Sequence, residues 1–274
     1  MDQIFTRPEI QSAVLPFIVS ILLYLGLRQQ TRYAWVFAVF VAFLISVGLI
    51  NGLTITPLTG TRKIILLILA SFVVAASIPN FLADVKIRRA VLSALVISAV
   101  LLVFWKIAMR METLDMALFF IGSLALVIFL VWSFERIGNN FTQLHGAGFS
   151  LLIGTGLGAT ASASALLGQL ALSLAAASAA VLLGWVIKGD AKQSNVALPY
   201  VLAAVLLGLA AVILARLPWY ALIPLASIPL VTSFVPKIPG NRFSQALVTS
   251  LPGLCIALAV AIWVWQTGSS DSGY

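Results

Sequence analysis

From Ala147 to Ile187 the chain carries no charged residue. Coiled as a single α-helix at 1.5 Å per residue, such a stretch would be about 60 Å long. That is roughly twice the ~30 Å hydrocarbon layer of a bilayer. The stretch must therefore fold back on itself, and the small residues between Ser162 and Gly168 are where a turn is expected. A soluble fold would have to hide both legs of this hairpin from water, and the remaining sequence has little polar surface with which to cover them. Only 9% of all residues are charged and 62% are hydrophobic, where soluble domains carry about 25% charged residues. The mean hydropathy of +1.12 agrees. Lipid is the solvent that suits this chain.

A membrane crossing takes about 20 apolar residues. With that ruler the sequence divides into runs 11–27, 33–50, 64–80, 90–107, 114–134, 147–163, 167–187, 196–215, 219–235 and 243–265. The expected fold is all-α: a polytopic transmembrane helical bundle of about ten helices with short loops. It forms one integral membrane domain over 1–274, with a disordered tail at 267–274. The loop from Glu135 to His145 reads as the most polar of the connections. Tyr24, Tyr33, Trp35, Trp105, Trp132, Trp185, Trp219, Tyr220, Trp263 and Trp265 fall near the ends of these runs. That is where the headgroup region favours amphipathic rings.

The net charge is +8, but the basic residues are dispersed singly or in pairs, so no nucleic-acid footprint exists. Their use is orientation. Of the 16 Lys and Arg, ten fall in odd-numbered connections: Arg28, Arg32, Lys86, Arg88, Arg89, Arg136, Lys188, Lys192, Lys237 and Arg242. The other six are Arg7, Arg62, Lys63, Lys106, Arg110 and Arg216. The excess places the odd connections on the cytoplasmic side and both termini outside. Met1-Asp2-Gln3 lacks the basic start of a cleavable leader, so the first run is expected to stay as a helix. A cell inner (plasma) membrane fits this compact, multi-pass design.

Candidate chemistry is sparse. Cys255 is the sole cysteine and His145 the sole histidine, which excludes a zinc cluster and an intramolecular disulfide. No cofactor and no catalytic residues are expected. The most unusual stretch holds Gly154, Thr155, Gly156, Gly158, Thr160, Ser162, Ser164 and Gln169. Small residues let helices approach closely, and the same residues in an unwound segment would line a transport pathway at mid-membrane. Their period of two leans towards unwinding. Pro224 and Pro229 in the ninth run each remove a helical hydrogen bond and mark a kink or a hinge. Lys106, Arg110, Asp115, Glu135 and Arg136 form an interfacial charge set around the fifth run, with Asp115 placed to pair with Lys106 or Arg110. Thr59 or Thr61 is placed to cap the third helix, with Arg62 and Lys63 as basic anchors.

The sequence supports a permease or transporter of a small molecule. The competing reading is a non-catalytic accessory subunit that packs within a larger membrane complex. The expected partners are the lipid bilayer and either a protein of such a complex or further copies of this chain, with no nucleic acid. An enzyme acting at the interface would have to draw on Glu135, Arg136, Asn139, Asn140 and His145, too small a set for general acid–base chemistry.

Overall fold

The computed structural model describes residues 7–52, 56–77, 84–189, 196–236 and 241–270. Among them the chain forms ten helices. Helix α1 opens as a π-helical turn, Ile10–Val14, and continues as Leu15–Leu27. The irregular turn lies just ahead of Pro16, which has no N–H to offer the ladder. Then follow α2 (Ala34–Ile50), α3 (Gly60–Ser77), α4 (Val85–Ala108), α5 (Thr113–Ile137), α6 (Phe141–Ala161) and α7 (Ala165–Lys188). The last three are α8 (Leu198–Ala215), α9 (Leu222–Ser233, entered through the 3-10 turn Trp219–Ala221) and α10 (Arg242–Ser270). Seven of them are long and apolar enough to cross a membrane, and the protein is a multi-pass helical membrane protein.

The ends of these helices follow local chemistry. Asp84 caps α4 by accepting from the Lys86 N–H at 2.7 Å, Asn140 caps α6 and Ser164 caps α7. Each supplies an oxygen to an N–H that the first helical turn leaves without a partner. Thr59, the first of the two capping candidates, accepts from the Arg62 N–H just ahead of α3. The hairpin expected in the charge-free stretch is present, and its turn is Ser162–Ser164.

Several boundaries differ from the sequence reading. Lys86, Arg88 and Arg89 lie in the first turns of α4, not in a loop, because Asp84 starts the helix early. Phe141–His145 is likewise helical, so α6 begins well before Ala147. Hydropathy alone reads the Thr-Gln-Leu-His run as polar, but inside the bundle these side chains find partners. The end of the third run, near Asn80, falls outside the described residues, as do Lys192 and Lys237. α10 runs on to Ser270, into the segment expected to be disordered.

Contacts between helix ends show that the helices run alternately up and down. At one end, Arg28 Nη1 donates to Gly189 O at 3.2 Å, and the Arg242 guanidinium lies against Gly189. Gln143 Nε2 donates to Val235 O at 3.0 Å, and Arg88 pairs with Glu135. The described helix ends that flank all five odd connections therefore gather at this basic end. At the other, Lys63 Nζ reaches Leu102 O at 3.4 Å and Tyr220 packs on Trp263 at 4.8 Å.

Helix α6 is the hub. It packs along α7 and α10 and also meets α8 and α9. α8 is enclosed by α3, α4, α5, α6 and α7, whereas α4 and α5 turn large apolar side chains such as Leu102, Leu118 and Ile121 outwards.

Candidate functional site

The alternating small residues of α6 have a helical explanation. Two residues along a helix turn the direction by about 200°, so alternate positions face opposite sides. Gly146, Ser150 and Gly154 face α10: a methyl group on Gly146 would lie 3.0 Å from Ser250 Oγ, and one on Gly154 would meet Ala257 at 3.0 Å and Leu225. Ser150 Oγ donates to Ser250 O at 3.1 Å. Gly156 instead faces α7, with Leu172 Cγ at 2.9 Å and Gly168 O at 3.2 Å from the place a Cβ would take. Gly148 faces the Tyr200 ring, 2.6 Å away on the same measure. α6 is thus a regular helix squeezed from several sides, not an unwound segment.

The hydroxyls in this stretch are turned onto their own helix. Thr155 donates to Leu151 O at 2.9 Å, Thr160 to Gly156 O at 2.9 Å and Ser162 to Gly158 O at 2.8 Å. Ser164 Oγ accepts from the Leu167 N–H, and Gln169 lies half-buried in α7. These residues serve helix contact and helix termination here.

The two prolines of α9 differ from each other. Pro224 stands in the first turn, where its missing N–H costs nothing. Only Pro229 lies in the helix interior. Its counterpart is Pro252 in the interior of α10. A Cβ on the adjacent Gly253 would sit 2.8 Å from Ile228 Cγ2 and 2.7 Å from Ser150 Cβ. Both interruptions therefore lie at the level of Ser150.

The interfacial charges also separate. Lys106, Arg110 and Asp115 are exposed at the less basic end, and no ion pair joins them among the described residues. Glu135 and Arg136 belong to the opposite end. Glu135 Oε2 accepts from Arg88 Nε at 2.9 Å and Nη2 at 2.7 Å. The Arg136 guanidinium lies over the Trp132 and Phe234 rings.

The constellation that sequence reasoning missed lies one turn inside the basic end. His145 is fully buried in α6, not in a loop, and its Nδ1 is 2.5 Å from Tyr200 Oη of α8. Tyr200 is also hydrogen-bonded to Ser178 of α7. Trp35 of α2 stacks on Tyr200 (5.8 Å, 7°) and meets the imidazole edge-on at 4.8 Å. Phe134 covers the Tyr200 ring at 6.3 Å and Phe141 lies 4.1 Å from the imidazole. Five helices contribute, and His145 Nε2 is buried without a hydrogen-bond partner among the described residues. Asn139 and Asn140 do not join it, and Asn140 is occupied in capping α6. The only sequence signal was that Trp35, Trp185 and His145 all stand near run ends at the same side. Residue spacing cannot show five separate helices converging.

No protein-family model, curated protein or solved structure matches this chain.

Proposed function

We propose that the protein is a small-molecule permease whose recognition site is the His145–Tyr200 constellation. The observation that carries this reading is a fully buried imidazole with one nitrogen unpartnered among the described residues, where the other buried polar side chains are Ser, Thr and Gln. Polar and ionisable groups within a membrane are costly, and their default explanation is a substrate or ion pathway. The helix arrangement supports the same reading: Pro229 and Pro252 interrupt neighbouring helices that both pack on α6. Such interruptions are where a bundle can flex between states.

The competing reading, an accessory subunit in a larger membrane complex, draws on the close-packed faces of α6. The test begins with wild-type and His145→Ala proteins extracted in mild detergent and weighed by native mass spectrometry. A small molecule retained by wild type and lost by the variant, and then moved across reconstituted vesicles, is the expected result. A stoichiometric protein partner, with no flux of any retained molecule, would replace the permease by the accessory subunit. The inner (plasma) membrane is the proposed location.

A further inference from the structure

The basic end of the bundle uses its cations unevenly. Arg88 is paired with Glu135, Arg136 lies over two rings and Arg32 lies over the Tyr33 ring. Arg28, Lys188 and Arg242 instead gather at the end of α7, where no carboxylate pairs with them among the described residues. Lys188 is the last residue of that helix. Arg28 Nη1 donates to Gly189 O, and the Arg242 guanidinium fills the place that a Cβ on Gly189 would take. Gly189 also holds φ at +78°, so glycine suits the position on both counts. Cations at a helix C-terminus are ordinary, but that end offers only about half a negative charge against three full positive ones. The connection 190–195 adds Asp190 and Lys192, whose charges cancel, and 237–240 adds Lys237. A surplus of about two positive charges remains.

We propose that Arg28, Lys188 and Arg242 bind the phosphate of an anionic phospholipid whose acyl chains lie along α1, α7 and α10. Guanidinium forks match phosphate oxygens, and Lys188 and Arg242 are exposed to receive them. Exposed apolar side chains continue from the cations down all three helices: Leu22, Leu183, Ile187, Phe243 and Leu247. A soluble anion would meet the charges alone, whereas a phospholipid also covers this apolar strip. A zwitterionic headgroup brings its own cation to the surplus and is disfavoured, so the site selects lipids with net negative charge. This lipid site is separate from the His145 constellation and does not depend on transport.

The test titrates the purified protein in detergent with dioleoyl lipids and counts bound lipid by native mass spectrometry. Phosphatidylglycerol should bind roughly tenfold more tightly than phosphatidylcholine. Arg28→Gln combined with Arg242→Gln should abolish that preference. Lys106→Gln combined with Arg110→Gln, which removes equal charge from exposed positions at the opposite end, should keep it. Equal binding of the two lipids by wild type would overturn the proposal, as would equal loss in both double variants. Excess inorganic phosphate should leave the lipid in place; its displacement would reassign the site to a soluble anion. Wild type alone gives a second readout in nanodiscs. A phosphatidylglycerol with a photoreactive diazirine near the top of its acyl chain should label Ile187 and Phe243 first, and labelling spread evenly over α4 and α5 would sink the site.

Discussion

Helices α5 and α8 are equally apolar, yet 83% of α8 is buried inside the protein and only 22% of the most apolar stretch of α5. The difference lies in side-chain size. α8 carries Ala203, Ala204, Gly208, Ala210, Ala211 and Ala215, so five neighbours can close around it. α5 carries Leu114, Leu118, Ile121, Ile128 and Trp132, which point outwards to lipid. In a bilayer no hydrophobic force separates inside from outside, since lipid tails are as apolar as leucine. Packing density decides instead, and small residues allow the closest approach. The same contrast divides α6, the hub, from α4 and α5, the outer wall.

Matched substitutions sharpen this contrast. The largest effect is expected at glycine. Gly154→Leu drives a side chain into Leu225 and Ala257 and should cost about 3 kcal/mol or more. Gly122→Leu on α5 has nothing within 4 Å to meet and should stay within ~0.5 kcal/mol of wild type. Reversible unfolding in mixed SDS micelles measures both, and equal damage at the two sites would break the comparison. Tryptophan gives the next step. Trp35→Ala empties a fully buried site and should cost about 3 kcal/mol, whereas Trp132→Ala at the 41% exposed position should cost less than ~1 kcal/mol.

Charge gives a smaller separation. Glu135→Ala leaves Arg88 without its carboxylate, and because Arg88 is partly exposed the cost should be about 2 kcal/mol, below that of a fully buried pair. Asp115→Ala, at the exposed opposite end, should leave stability unchanged. Adding Arg88→Ala to Glu135→Ala should recover part of the loss, and a double-mutant cycle reads that coupling. The smallest effect is a gain. Ala163 holds φ at 77° in the α6–α7 turn, a left-handed conformation that costs a residue with a Cβ. Ala163→Gly should stabilise the hairpin by about 1 kcal/mol, seen as a higher thermal midpoint.

Much of the architecture was legible in the residues. Each run read against bilayer thickness coincides with a helix, most ends agreeing within four residues, and the charge-free stretch demanded the α6–α7 hairpin. The largest misplacement, the start of α6, has a clear cause. Gln143 and His145 read as loop residues because a hydropathy scale charges each for leaving water, but Gln143 bonds to Val235 O and His145 to Tyr200. The alternating glycines and serines stand out in the sequence, and their period of two suggests unwinding. Opposed faces of one helix produce the same spacing, and only the neighbours distinguish the two.

The sequence by itself determined that this chain lives in lipid, that its helices cross and where most of them turn. Those are one-body properties: the transfer of a segment from water to an apolar phase and the length needed to span it. Which helix stands at the centre, which glycine faces which neighbour, and the meeting of Trp35, Phe134, His145, Ser178 and Tyr200 were decided by tertiary structure. Lipid and protein interior are almost the same solvent for an apolar side chain, so hydropathy cannot separate them. Shape does, and shape complementarity is a property of pairs of helices that no single segment contains.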